Sequence, residues 1–240
     1  MPYIPRPATA SIWFRSYVQT YLERDVRAIS SIRDLSVFRR FLALLSSRAG
    51  QVLNKTDLAA PLGVSVSTIS EWLSILEITG QIILVPPFYE NFGKRLIKSP
   101  KLYFVDSGML CHLLGIDSER LLNRSPFLGP VFESHVASEI IKEQQNTGRG
   151  TQLYYFRDQQ GLEVDFVVPL RGRTVLLLEA KASRTVLPDM ARPLRQLAGA
   201  MSQYEPRCFV VHRSGKEDLG TSAVSPGTRA VPVERLSEIL

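Results

Sequence analysis

The chain has 240 residues, 45% hydrophobic and 22% charged, a composition that fits a folded protein and excludes a disordered one. No apolar run reaches the roughly 18–20 residues of a membrane-spanning helix, and the opening Met1-Pro2-Tyr3-Ile4-Pro5-Arg6-Pro7 lacks the apolar core of a secretory signal. The net charge of +6 lies wholly in residues 1–105, with 13 Lys/Arg against 7 Asp/Glu; the remainder is balanced at 16 against 16. A basic half suits either a polyanionic partner, DNA being the commonest, or a solubilising surface. Cys111 and Cys208 stand far apart without metal-ligand spacing and read as reduced thiols of a cytoplasmic protein that uses no membrane.

In chain order, Ile12, Trp13, Tyr17, Val18, Tyr21, Leu22 and Val26 form a helical stripe over residues 10–30. A second helix is expected near 34–48, with Leu35, Phe38, Phe41, Leu42 and Leu45 on one face. Residues 54–70 then read as helix-turn-helix: a short helix from Thr56 stopped by Gly63, and a second capped by Ser67, burying Ile69, Leu73 and Leu76 and ended by Gly80. Two strands, 81–88 and 102–105, enclose the basic stretch Lys94-Arg95-Leu96-Ile97-Lys98 as a wing. The second helix exposes Thr68, Ser70, Glu71 and Ser74, so it reads bases poorly. Any DNA would be held by Lys94, Arg95, Lys98 and Lys101 through phosphate charge, and the alternative is a winged helix that packs against a neighbouring domain.

Residues 106–129 form a connection with a short helix at 109–114. A helix at 131–146, strands at 153–156, 163–170 and 174–180, a helix near 188–203 and a strand at 207–212 follow. Residues 213–226 read as a mobile loop, before a last strand and helix. If Arg171-Gly172-Arg173 is the hairpin turn, Leu170 faces Thr174, Asp165 faces Glu179 and Glu163 faces Lys181. Alternation puts Glu163 and Asp165 on one face, away from Val164, Phe166 and Val168. Two facing carboxylates repel unless a cation lies between them, as a hard divalent site requires. Lys181 points to the same face as Glu179 and is placed to stabilise an attacked phosphate. On the preceding helix Glu133 lies mid-face among Phe132, Val136, Ala137 and Ile140, where an acid needs a partner. Glu139 falls on the polar side and Glu143 near the apolar edge. The bland alternative pairs Asp165 with Lys181.

The order helix-Glu, Asp165, then Glu179-Ala180-Lys181 in a hairpin resembles the PD-(D/E)XK nuclease superfamily, although Val164 stands where its motif has proline. A wider likeness rests on YVQTYLERDV from Tyr17 to Val26, TISEWL from Thr68 to Leu73, KRLIKSPKLYFVDSG from Lys94 to Gly108 and GLEVDF from Gly161 to Phe166. Together these resemble the C-terminal region of a prokaryotic AAA-type ATPase family, catalogued as a domain of unknown function. The phosphate-binding pattern G-x-x-x-x-G-K-[ST] is absent, so no ATP site is expected in this chain, which reads as a fragment, a truncated product or a stand-alone relative.

The resemblance implies an α+β or αβ chain: a helical winged-helix-like half at 1–129, then a restriction-endonuclease-like half at 130–240 with a mixed central sheet. Glu133, Asp165 and Glu179 would hold Mg²⁺ or Mn²⁺, with Lys181 as the catalytic cation. Two functions are expected from this: an accessory region of an ATPase that binds DNA or protein without turnover, or an Mg²⁺-dependent DNA endonuclease.

Overall fold

A computed structural model describes residues 7–20, 34–88, 98–214 and 222–240. Lys94, Arg95 and the later part of the first expected helix therefore lie outside the described residues. Helix α1 (Pro7–Thr20) packs through Phe14, Tyr17 and Val18, whereas Ile12 and Trp13 of the expected stripe are exposed at 63% and 53%. Helix α2 (Leu35–Ser46) starts where the Asp34 carboxylate accepts from the backbone N–H groups of Ser36 and Val37. It buries Phe38, Phe41, Leu42 and Leu45 against Trp72, whose ring meets Phe38 edge-on at 5.1 Å.

Helices α3 (Lys55–Leu62) and α4 (Val66–Ile78) lie 110° apart. Asn54 caps the first, and Gly63 ends it at φ 67°, a left-handed position that glycine takes without a Cβ penalty. Ser65, not Ser67, caps α4. It has the extended backbone an N-cap needs and accepts from the Thr68 N–H at 3.1 Å, while Ser67 is already inside the first turn.

Strands β1 (Ile82–Val85) and β2 (Lys101–Phe104) pair antiparallel with Ile82 opposite Phe104. The other edge of β2 takes the segment 50–53, with Gly50 N–H donating to Leu102 C=O at 2.7 Å and Leu102 N–H to Gln51 C=O at 3.0 Å. Strand β2 is thus walled on both faces: Leu102 and Phe104 enter the helical core, and Tyr103 enters a second core beyond it. The connection holds helix α5 (Ser107–Leu113) and a helix the sequence did not suggest, α6 (Glu119–Arg124). Helix α7 (Leu128–Asn146) begins three residues earlier than expected, so the anticipated division at 129/130 falls in its first turn. No single helix among the described residues is long and apolar enough to cross a membrane.

The second half is built on a mixed sheet, six strands among the described residues, in the order β3-β4-β5-β6-β8-β7. These are β3 (Tyr154–Arg157), β4 (Glu163–Pro169), β5 (Thr174–Lys181), β6 (Glu205–His212), β7 (Ser222–Ser225) and β8 (Thr228–Pro232). Strands β5, β6 and β8 run parallel and the other neighbours antiparallel. The single helix expected at 188–203 is instead a 3₁₀ turn, Pro188–Ala191, followed by α8 (Arg192–Ala200). The end of the expected loop at 213–226 is strand β7. Helix α7 covers one face through Val136, Ala137 and Ile140 against Phe166, Leu176 and Leu178; α8 covers the other through Leu194 and Leu197 against Leu177 and Val210.

The two halves share backbone bonds. Phe88 N–H donates to Tyr155 C=O at 2.7 Å and Tyr155 N–H to Pro86 C=O at 3.1 Å, so the segment after β1 runs alongside the free edge of β3. Tyr155 also donates its hydroxyl to Ser99 C=O at 2.5 Å.

Candidate functional site

The β4–β5 hairpin positions the acids. Leu170 N–H donates to Thr174 C=O across the turn, and Phe166 stands opposite Leu178, which continues in register to Asp165 opposite Glu179. The three-residue turn thus has the expected geometry. On its other side β4 is irregular. Tyr154 pairs with Val167 but Phe156 with Val164, so Asp165 and Phe166 together oppose Tyr155, a bulge. The expected alternation fails there: Phe166 and Val168 pack towards α7, but Val164 packs towards α8. Re-aimed by the bulge, Asp165 is shared between a cleft and the buried layer behind it.

In that layer the Lys101 side chain is 2% exposed. It forms an ion pair with Glu163 Oε1 and donates to Asp165 Oδ1 at 3.3 Å, and it lies 5.7 Å from the centre of the Tyr155 ring. Asp165 Oδ2 accepts from the Ala180 N–H at 3.0 Å, Glu163 also meets Arg157 Nη1 at 3.4 Å, and Tyr103 OH donates to Glu133 Oε2 at 3.3 Å. Lys101 was expected to hold phosphate; burial removes it from any nucleic acid. Lys98 is exposed.

Lys181 Nζ is bonded to its neighbour Glu179 Oε1 at 2.7 Å, not to Glu163 or Asp165. Glu179 Oε2 is buried without a hydrogen-bond partner. The cleft in front, about 830 Å³, is lined by Glu163, Asp165, Glu179, Lys181, Arg192 and Gln196. Glu139 pairs with Lys142 at the surface.

Burial, reinforced by Asp165, pushes Glu133 up to about 8 and does the same to Glu179 despite Lys181 beside it. Both carboxyls therefore hold a proton more tightly than a free acid does. Burial would lower the Lys101 amine, but Tyr103, Asp165, Glu133 and Glu163 hold it well above its ordinary value. Burial drives Tyr103 far up, so the phenol is neutral and the carboxylates do the holding. Lys181 is likewise raised, burial being outweighed by Glu179.

This donor set does not fit a divalent ion as it stands. Among the described residues no three His, Cys, Asp or Glu side chains converge to hold a metal, and a metal entering here would have to displace the Lys101 ammonium and compete with protons for Glu133 and Glu179. The three residues expected as ligands, Glu133, Asp165 and Glu179, lie in one neighbourhood of acids with a protein cation among them. Sequence reasoning missed Lys101 as a core residue. Its signal was a lone charge in Lys101-Leu102-Tyr103-Phe104, a strand otherwise free of charge, which demands a buried partner.

Gly50 closes the site from the first half. Its φ is +75°, and a Cβ there would stand 3.2 Å from Glu133 Oε2 and 3.6 Å from the Pro130 backbone. Gly50→Ala is expected to cost about 1–2 kcal/mol in a urea melt, the penalty of the left-handed backbone alone. No loss would show that segment 50–53 is not fixed against α7.

Comparison with known proteins gives relatives without assigned activity. Residues 4–120 match a family described as Domain of unknown function (DUF8612), and residues 128–236 match Domain of unknown function (DUF4143). An uncharacterized protein of Mycobacterium tuberculosis and another of Mycobacterium bovis are each 32% identical over 186 residues, covering 78% of this chain and 41% of the relative. The chain thus spans less than half the length of these curated relatives. No solved structure matches it.

Proposed function

We propose that the chain is a non-hydrolytic accessory region of a longer AAA-type ATPase, with a winged-helix-like first half and a nuclease-like second half that together bind a protein partner in the cytoplasm. The observation that carries this reading is the engagement of the acids by the protein's own cations, Lys101, Arg157 and Lys181. A protein partner is favoured over DNA by helix α4, which exposes Ser67, Glu71, Ser74 and Glu77 and no Lys or Arg. Acids on that face repel phosphate. The free thiols Cys111 and Cys208 suit a reducing compartment.

Plasmid and branched DNA incubated with the chain and Mg²⁺ or Mn²⁺ are expected to remain intact. Cleavage that disappears in both Asp165→Ala and Lys181→Ala, with each variant shown to be folded, would establish the endonuclease instead. Reversing Lys94, Arg95 and Lys98 is expected to leave DNA affinity unchanged. A fall in affinity with a shallower salt dependence would make DNA the partner.

A further inference from the structure

The carboxylates around Asp165 belong to the second half, whereas the cation among them belongs to the first. We propose that the ammonium of Lys101 is the permanent cation of this pocket, seated where a divalent ion would otherwise be held, so that the pocket is an ionic clamp between the two halves. This explains how the acids are balanced and goes beyond the partner-binding role.

Three features carry it. Lys101 cannot swing out, because β2 is paired on one edge with β1 and on the other with segment 50–53. Its neighbours Leu102 and Tyr103 are fully buried in different cores. The amine is also oriented by two acids of the other half at once, Glu163 and Asp165, while Tyr103, two residues along and on the same face of β2, reaches the third acid, Glu133. The buried, unpartnered Glu179 Oε2 marks the remaining ligand capacity, on the cleft side of Asp165. A small cation could use it only if the ammonium were gone.

The test compares the full chain with Lys101→Met, which keeps most of the side chain's length without its charge, in EDTA and in MnCl₂. Bound Mn²⁺ is followed by the loss of the free-ion electron paramagnetic resonance signal, and stability by thermal melting. The wild-type chain is expected to take up no Mn²⁺ in the pocket and to melt at the same temperature in both solutions. Lys101→Met should melt lower in EDTA and regain stability as Mn²⁺ is added, with one ion bound per chain. Lys101→Met/Asp165→Asn, with one carboxylate charge removed, should melt above Lys101→Met in EDTA and gain less from Mn²⁺. Stoichiometric uptake by the wild type, lost in Asp165→Asn, would overturn the clamp, even if no DNA were cut. So would a double variant no more stable than the single one, which would leave Lys101 a packing residue only.

Discussion

Asp165→Ala is expected to destabilise the chain by about 3–5 kcal/mol, the cost of breaking a buried ion pair by removing one of its members. Asp165 holds Lys101 Nζ through one oxygen and the Ala180 N–H through the other, so alanine strips the Ala180 N–H of its acceptor and leaves the Lys101 amine to Glu163 alone. The sign separates two accounts of the same residue. An acid kept only for chemistry is held in place by the fold against repulsion from Glu133 and Glu179, and its removal is neutral or stabilising. An acid that neutralises a core lysine is part of the fold, and its removal is costly. Urea unfolding of wild type, Asp165→Ala, Lys101→Met and the combined variant closes a double-mutant cycle. The combined loss should fall well short of the sum of the two single losses. Additive losses would mean that Asp165 and Lys101 do not act on one another.

The second large effect is a fall in stability as pH rises. Glu133 and Glu179 have folded values raised to about 8 from an ordinary 4.5. A raised value means that the folded chain binds the proton more tightly than the unfolded one. Their contribution is therefore complete below about pH 4.5 and is lost progressively up to about pH 8, at about 1.4 kcal/mol per pH unit for each acid that keeps its proton in the fold. Partial burial and Arg15 lower His112, which acts in the opposite sense below its ordinary 6.5. The readout is therefore the difference between wild type and the neutral variants Glu133→Gln and Glu179→Gln. Each should overtake wild type between about pH 5 and about pH 8 in denaturant midpoint. Parallel profiles would mean that both acids are ionised in the fold throughout.

Local chemistry made much of the molecule legible. Gly63 fixed the end of α3 because capping needs only near neighbours, and the Arg171-Gly172-Arg173 turn set the β4–β5 register that brings Asp165 to Glu179. Ser67 displaced Ser65 as the expected cap because serines two positions apart carry the same side chain and differ only in backbone angle. Strand β7 hides in a polar stretch because a sheet edge needs backbone partners more than apolar side chains. The bulge at Asp165 is imposed by pairing with β3 on the other edge, which the hairpin alone does not encode. Lys101 was the largest loss. Its place in a basic run suggested phosphate, and only the folding of residues 163–165 against β2 turns it into a core cation.

Diffraction from crystals grown in MnCl₂, with data collected at the manganese absorption edge, reports most directly on what sits among these carboxylates. We expect Lys101 Nζ between Glu163 and Asp165, with no anomalous peak in the pocket. A manganese ion bonded to Asp165 and Glu179, with Lys101 turned away from them, would contradict the account and restore a metal centre.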